Sequence, residues 1–507
     1  VTEIAPMDQP IKVAPETTAA FVGRALRGPL NTPILVTRFG EFKNRFGDIW
    51  SGSSLGPAVR QFFEHGGRRL YVVRVANNAL GAMLCLPAAG SALVLRAVEP
   101  GSTERIRAAV DYDGLDDSDD ELFNLTLQRV DPVSGLILDQ ELQSGLSYRQ
   151  EAENFVAGAL SDSELARVEP PYPTHRPDAT LRHGRRFEAD YIDHAQSGTD
   201  GAELTDYDLV GARAAFSGLF ALQQAESFDV LYIPPPRRQH DLGPAAILAA
   251  ERYCRERGAM LIIDPPADWT TTEMALKGVR VLGYTSSHLL GYFPRVMLRG
   301  NNGDVPRTIG GAIAGLLCRH DRTRGAWQPM DDLGLPLDRQ MLPVVEFNER
   351  DRKLLQRAGL NPVSRGPAGL ARFFGDVTLG RTGDSHREFA SLSVQRFCLQ
   401  ILSSIASAAR WSMFESDSAL LAQKLESQVR QFLDGLAECG ALIDDRIVVE
   451  CDAGVSRRAG SGAHAVTLLL VFHPVGAPNP VSLTLHLTPA GWHVGSSAFA
   501  PVVENCA

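Results

Sequence analysis

Asp264 is the residue best placed for chemistry. It follows the apolar run AMLII (259–263), and open α/β sheets often keep their working residues just past a strand of that kind. Pro265 and Pro266 come next, so the same residue also reads as an ordinary turn starter. No histidine or nucleophile is tied to Asp264 by a motif. The acidic run Asp111, Asp113, Asp116, Asp117, Asp119, Asp120 and Glu121 has the oxygen ligands calcium takes. No glycine falls at the sixth position counted from Asp113 or Asp117, so the EF-hand register is missing and a solvated loop is expected. His175, His183 and His194 are eight and eleven residues apart, with no helix to bring them together as metal ligands. Asn124 in NLT matches a glycosylation acceptor, but without a secretory signal the match reads as accidental. The chain carries no G-x-x-x-x-G-K-[ST], G-x-G-x-x-G after a strand, G-x-S-x-G or H-E-x-x-H pattern. No catalytic, cofactor-binding or metal-binding residue is therefore assigned.

The elements that would have to position such residues follow an α/β rhythm. TTAAFVGRA and PILVTRF read as strands, EFKNRFG and LGPAVRQFFEHGG as short helices, and RRLYVVRVA as a buried strand. The rhythm resumes near 206 with FDVLYIP as a strand, PAAILAAERYCRER as a helix and AMLIIDPP as a strand. TTEMALKG then reads as a helix, VRVLGY as a strand and GGAIAGLLCRHDRTRG as a helix. Strands about 30 residues apart fit βαβ crossovers in a mainly parallel sheet. Residues 81–200 contain short strand candidates, acidic turns and a Pro/His/Arg-rich stretch, and read as a mainly β elaboration with long loops. The segment 326–370 is loop-rich and reads as a boundary. Beyond it come two long amphipathic helices (386–411 and 419–440) and three strand candidates, an α+β pattern. Leu420, Leu421, Leu425, Val429, Phe432 and Leu436 form the apolar stripe of the second helix, with Lys424, Gln428 and Arg430 on its polar side.

The 507 residues carry 50 basic and 60 acidic side chains, a net charge of −10, which disfavours non-specific nucleic-acid binding. Seven scattered cysteines without C-x-x-C pairs point away from disulfide or zinc frameworks, and no run approaches the ~20 apolar residues of a membrane span. Assembly in a reducing bacterial cytoplasm is expected. An α/β hydrolase-like cytosolic enzyme with an inserted β domain is one function class this pattern allows.

A second class comes from resemblance. Thr17–Ala25 (TTAAFVGRA) with Arg27-Gly28-Pro29, FKNRFG (42–47) and LGPAVRQFFEHGGRRLYVVRV (55–75) resemble the opening of contractile phage-type tail sheath proteins. The resemblance continues at DGAELTDYDLVG, FDVLYIPPP, AMLIIDPPADW, GAIAGLLCRHDRTRGAW, Leu360-Asn361-Pro362, SIASAARWSMFE and VGAPNPVSLTLHL, in the family's order and over most of the chain outside 81–200. GDVTLGRT (375–382) departs from the family's aromatic-rich form, and about twenty residues follow the family's closing strand.

The resemblance implies a multidomain fold. Its parts would be an extended linker arm (1–16), a subtilisin-like α/β middle domain lacking catalytic residues (17–80 and 201–370), an outer β-rich domain (81–200), an α+β inner polymerisation domain (371–487) and a tail (488–507). It also implies a structural subunit of a phage tail, tailocin or extracellular injection system, stacked in hexameric rings around an inner tube. The partners implied are further copies of itself, the tube protein, and baseplate and terminator or cap proteins, with no direct nucleic acid and no membrane insertion. Ile4, Ile11 and Val13 of the proline-rich arm, and the alternating Val481, Leu483, Leu485 and Leu487, would link subunits by strand pairing, and Lys424, Gln428 and Arg430 would face the tube.

Overall fold

The computed structural model describes residues 10–11, 16–116, 120–181, 184, 190–237, 240–299, 306–330, 334–366, 369–382, 390–409, 418–452, 466–488 and 491–495. Among the sequence-assigned residues, Ile4 and Val13 lie outside this set, as do Asp117 and Asp119, the side chains of Leu420 and Leu421, and the residues His183 and Cys506.

The first elements are β1 (Ala19–Gly23), β2 (Ile34–Val36), α1 (Phe39–Phe46), α2 (Leu55–Glu64) and β3 (Leu70–Arg74). Seven strands follow: β4 (Gly81–Ala88), β5 (Ser91–Pro100), β6 (Ile106–Asp111), β7 (Leu122–Val130), β8 (Ile137–Ser147), β9 (Ala166–Glu169) and β10 (Ile192–Asp193), with the short helix α3 (Val156–Ala159) between β8 and β9. β4, β5 and β9 make one sheet, and β10, β6, β7 and β8 another. Leu84, Leu86, Leu93 and Leu95 of the first sheet share a core with Phe123, Leu125 and Leu127 of the second.

The chain then returns with α4 (Asp206–Val210), β11 (Val230–Tyr232), α5 (Pro244–Arg257), β12 (Met260–Ile263), α6 (Thr272–Leu282), β13 (Leu289–Phe293), β14 (Val296–Leu298) and α7 (Gly310–Arg324). After these come β15 (Leu335–Pro336), β16 (Met341–Pro343), α8 (Glu349–Arg357), β17 (Leu360–Arg365) and β18 (Ala371–Phe373). A nine-stranded sheet orders these and the first strands as β15-β18-β17-β13-β12-β11-β1-β3-β2. The run from β17 to β3 is parallel, and the strands at both ends are antiparallel.

Parallel strands covered on both faces need apolar side chains in both directions, which is why AAFVG and MLII are continuous apolar runs without alternation. Phe21, Tyr232, Ile262 and Leu290 face a core completed by Phe42 and Phe46 of α1, Val59 and Phe62 of α2, and Ile313 and Leu317 of α7. Val22, Leu231, Leu261 and Phe293 face the other core, with Tyr253 of α5, Ala275 and Val279 of α6 and Leu355 of α8.

Two readings from the sequence need correction. VRVLGY is no strand: α6 continues through Leu282 and stops at Gly283, whose φ of 64° is the left-handed helix stop. Val279 is buried one turn after buried Ala275, so the run follows the helical period, and the next strand is LLGYF. The segment 326–370 is also no simple boundary, because α8 and the interior strand β17 lie within it.

The last part holds α9 (Leu392–Ala408), α10 (Ser418–Glu438), β19 (Leu442–Asp452), β20 (Val466–Pro474), β21 (Val481–Thr488) and β22 (Gly491–Gly495). The four strands form an antiparallel sheet in sequence order. Val466, Leu468, Leu470 and Phe472 join Val481, Leu483, Leu485 and Leu487 on one face, packed with Phe397 and Ile401 of α9 and Leu425 and Val429 of α10. No helix among the described residues is long and apolar enough to cross a membrane.

Candidate functional site

Asp264 sits one residue past β12, at the carboxyl edge of the parallel strands. Both of its oxygens are occupied. The Tyr232 hydroxyl donates to Oδ2 at 2.8 Å and the Tyr292 hydroxyl to Oδ1 at 2.6 Å. Tyr292 in turn accepts the Ile309 backbone N–H at 2.7 Å, at the start of α7, and Tyr232 lies 3.2 Å from Thr308 Oγ1.

Burial pushes the Asp264 carboxyl up to about 6, against the hydrogen bonds of Tyr292 and Tyr232 and the charge of Arg295. Burial and the neighbouring Asp264 charge hold both tyrosines well above their usual range, so they act as donors. The cavity beside this cluster is about 20 Å³, room for about one water. Its walls are apolar groups such as Ile263, Trp269, Leu282 and Leu379, and among the described residues lining it no serine, cysteine or histidine stands beside the acid. The arrangement ties β11, β12, β13 and α7 together.

The sheet order changes direction between β1, whose chain goes on to β3, and β11, whose chain goes on to β12. Open α/β sheets bind ligands at that switch point. A shallow crevice of about 730 Å³ lies at this carboxyl edge, lined by Arg24, Trp50, Asn78, Asp200, Glu203 and Arg237 among others. Its charged groups are already engaged. Arg24 donates to the carbonyls of Asp200 and Gly201 at 2.7 and 2.9 Å and lies over the Trp50 ring, and Arg237 pairs with Glu203 at 2.5 Å. Asp200 accepts from the Ser102 backbone N–H and hydroxyl.

Beneath it Arg74, only 1% exposed, donates to the carbonyls of Ala25, Leu26, Gly28 and Pro100. Burial lowers its pKa to about 10. Arg24 thus fastens the return crossing at Asp200 and Gly201, and Arg74 ties the loop after β1 to the end of β5. Sequence reasoning passed over both, although VGRA and VVRV each end a buried strand with arginine.

The other candidates resolve one by one. Asp111 accepts from Asn124 Nδ2 at 2.8 Å, a tie between β6 and β7, and no group of three or more potential metal ligands occurs among the described residues. No disulfide joins the six described cysteines.

On α10, Leu425, Val429, Phe432 and Leu436 are core, as expected for an apolar stripe. Arg430 is exposed, whereas Lys424 and Gln428 are half-buried and engaged in contacts of their own. Ile11 is 8% exposed and packs into the α9/α10 core of its own chain. Val481, Leu483, Leu485 and Leu487 are at most 3% exposed. Their strand β21 pairs with β20 along Val481–Leu487 and with β22 along Thr484–Thr488, both within the chain. That differs from a strand held ready for a neighbour. The physical reason is that residues 491–495, from the stretch after the alternating run, supply a fourth strand. The two edges left in this sheet are β19 and β22.

No protein-family model matches the chain, and no curated protein does. Solved structures do. The sheath tail protein of Listeria innocua superposes with a TM-score of 0.63 at 12% identity, covering 95% of this chain and 97% of that one. The sheath tail protein of Desulfitobacterium hafniense gives 0.54 at 13% identity, over 96% and 100% of the two chains. The helical sheath of the anti-feeding prophage in its contracted state gives 0.52 at 12% identity, over 95% of each. The likeness covers nearly the full length of each chain, so the fold of this chain is that of the sheath tail proteins.

Proposed function

We propose that the chain is the structural sheath subunit of a contractile tail or injection apparatus. It polymerises as stacked hexameric rings around an inner tube and contracts to drive the tube through a target envelope, with no catalytic step of its own. The observation that carries this is the end-to-end correspondence with a sheath tail protein, 95% of this chain against 97% of that one. The Asp264 cluster supports it: a strand-end acid with both oxygens tied to tyrosines and about 20 Å³ beside it serves the fold and not a substrate.

In this reading the nine-stranded sheet is the subtilisin-like middle domain without catalytic residues, the β4–β10 segment is the outer domain, and α9 to β22 form the inner polymerisation domain. Its partners are further copies, the tube protein, baseplate proteins and terminator or cap proteins. The subunit assembles in the bacterial cytoplasm and ends in a phage tail or released particle. Arg430, with Lys424 and Gln428 beside it, faces the tube. Linkage between subunits uses the amino-terminal arm, with Ile4, Ile11 and Val13, and the open edges of the last sheet, where β19 and β22 can each add a strand.

Negative-stain images of the protein expressed with its tube protein test the proposal. Regular hollow tubes with a ring repeat are the expected result. Discrete particles at every concentration, with hydrolytic activity on ester or peptide substrates, would replace this reading with the enzyme.

A further inference from the structure

Helix α2 ends on a buried histidine that is hydrogen-bonded through both ring nitrogens and joins chain segments 273 residues apart. We propose that His65 is an acid-released catch: its neutral ring holds the turn 337–341, and with it the end strand β15 of the large sheet, against α2, and a proton on Nε2 lets the turn go.

The geometry fixes the neutral form. His65 is 3% exposed. Its Nδ1 lies 2.7 Å from the Gln61 carbonyl oxygen, which can only accept, so Nδ1 carries the proton. Its Nε2 lies 3.1 Å from the Asp338 backbone nitrogen, whose N–H can only donate, so Nε2 presents its lone pair. A second proton on Nε2 would set two N–H groups against each other, and the Asp338 N–H would lose its acceptor.

The turn held by this bond closes on itself. Met341 N–H donates to the Asp338 carbonyl at 3.0 Å, and Gln340 N–H donates to the Asp338 carboxylate at 2.7 Å. Leu337 and Met341, 4% and 3% exposed, seat the turn in the core that α2 shares. Leu337 N–H donates to the Ala371 carbonyl at 3.0 Å, which continues the pairing of β15 with β18. β15 is two residues long and pairs on one side only. Losing the His65 bond therefore loosens the end of the sheet and not its centre.

The charged groups around the ring oppose one another. From the turn, the Asp338 carboxylate favours a charged ring, but it is exposed and already accepts from Gln340; Arg339 beside it is exposed. From α7, Arg319 lies against Gly66 and disfavours a second positive charge, and Arg322 donates to the Gly66 carbonyl at 3.1 Å. On α2 itself Glu64 is paired with Arg60 at 3.1 Å, and after it Arg68 is paired with Glu16 at 3.5 Å. Burial is the largest influence and lowers the His65 pKa, with the Gln61 bond and Asp338 opposing and Arg319 adding.

The sign follows. An unfolded histidine titrates near 6.5, and the folded ring binds its proton less tightly. The contribution of the catch is therefore fully present above about pH 6.5 and is lost as pH falls below it. The catch belongs to the single chain, so it stands or falls independently of the sheath reading.

The first test is the ring itself. Imidazole nitrogen NMR shifts of the full chain at pH 7.5 should show the His65 proton on Nδ1; an Nε2–H tautomer or a charged ring overturns the catch. The second test compares His65→Gln with the wild type in urea unfolding at pH 7.5 and pH 5.0. The wild-type folding constant divided by that of the variant should fall by about threefold or more, and by about thirtyfold for a ring that stays neutral in the fold. Groups common to both proteins cancel. Amide exchange at Asp338, corrected for intrinsic rates, should quicken at pH 5.0, and more in the wild type than in the variant. A folding ratio that does not fall, or wild-type Asp338 protection equal at the two pH values, overturns the proposal. If His65→Gln fails to fold, the ring tautomer and the wild-type Asp338 amide decide alone.

Discussion

Arg129 shows how this chain handles charges it cannot expose. The guanidinium is 5% exposed and meets Glu104 at 2.7 Å and Glu99 at 3.5 Å, two carboxylates themselves 2% and 6% exposed. It is the cation beside Glu104, whereas Glu99 also pairs with Arg45 at 3.0 Å. Even so, burial keeps the Glu104 carboxyl above its usual range against the field of Arg129. Removing one partner of a buried pair costs far more than the pair contributes, because the orphaned charge stays desolvated. Arg129→Ala should therefore lower stability by about 3–5 kcal/mol, read as a fall in the thermal midpoint. The loss should be smaller at acid pH, because protonating Glu104 removes the uncompensated charge. Asp264 makes the complementary case of an acid stabilised by two neutral donors and no adjacent cation in hydrogen-bond contact.

Helices α2 and α7 approach closely enough that glycine is the only residue their contact admits. A Cβ at Gly311 would lie 2.2 Å from the Ala58 carbonyl oxygen, and one at Gly315 would lie 2.3 Å from that of Phe62. Both clashes are with backbone, which cannot swing aside. Gly311→Ala should cost about 1–3 kcal/mol by forcing the helices apart, despite alanine's better helix propensity. A thermal midpoint at or above that of the wild type would contradict it.

This contact was half legible: GGAIAG reads as the start of a helix, but nothing local says which carbonyls its glycines touch. The parallel strands were legible because strands buried on both faces leave continuous apolar runs such as FDVLYIP and AMLII. β17 was not. Its Asn361 and Pro362 argue against an interior strand. The sheet admits them because Asn361 donates to the Gly291 and Val377 carbonyls and accepts the Val377 N–H. VRVLGY misled for the opposite reason, since its local alternation fits a strand while its fourth-residue spacing to Ala275 fits the helix it joins. At the candidate site, the position of Asp264 was legible and its two tyrosine partners were not, since they come from strands 32 and 28 residues away.

On the scale of the whole molecule, the two chain ends have different physical standing. The alternating strand β21 belongs to its own chain's sheet, and its apolar face is core to α9 and α10. Truncating it would unfold the last sheet and say nothing about linkage. The amino-terminal arm differs: of its apolar residues Ile11 is described, and its side chain packs into the α9/α10 core. Ordering a chain segment costs about 1–2 kcal/mol per residue, more than one buried isoleucine returns, so the expectation is a fold that does not depend on the arm. In the proposed polymer an identical core on the next subunit would offer the same seat to the same isoleucine, and exchange of the arm between equivalent seats would join subunits at little net cost. Removing residues 1–13 should leave a soluble chain with cooperative unfolding and a midpoint lowered by no more than the loss of Ile11 accounts for, about 1–2 kcal/mol. The same protein should form no tubes in negative stain when expressed with its tube partner. Tubes of normal length from the truncated chain would place linkage at the β19 and β22 edges alone. Loss of cooperative unfolding would instead show that the arm is part of the single-chain fold.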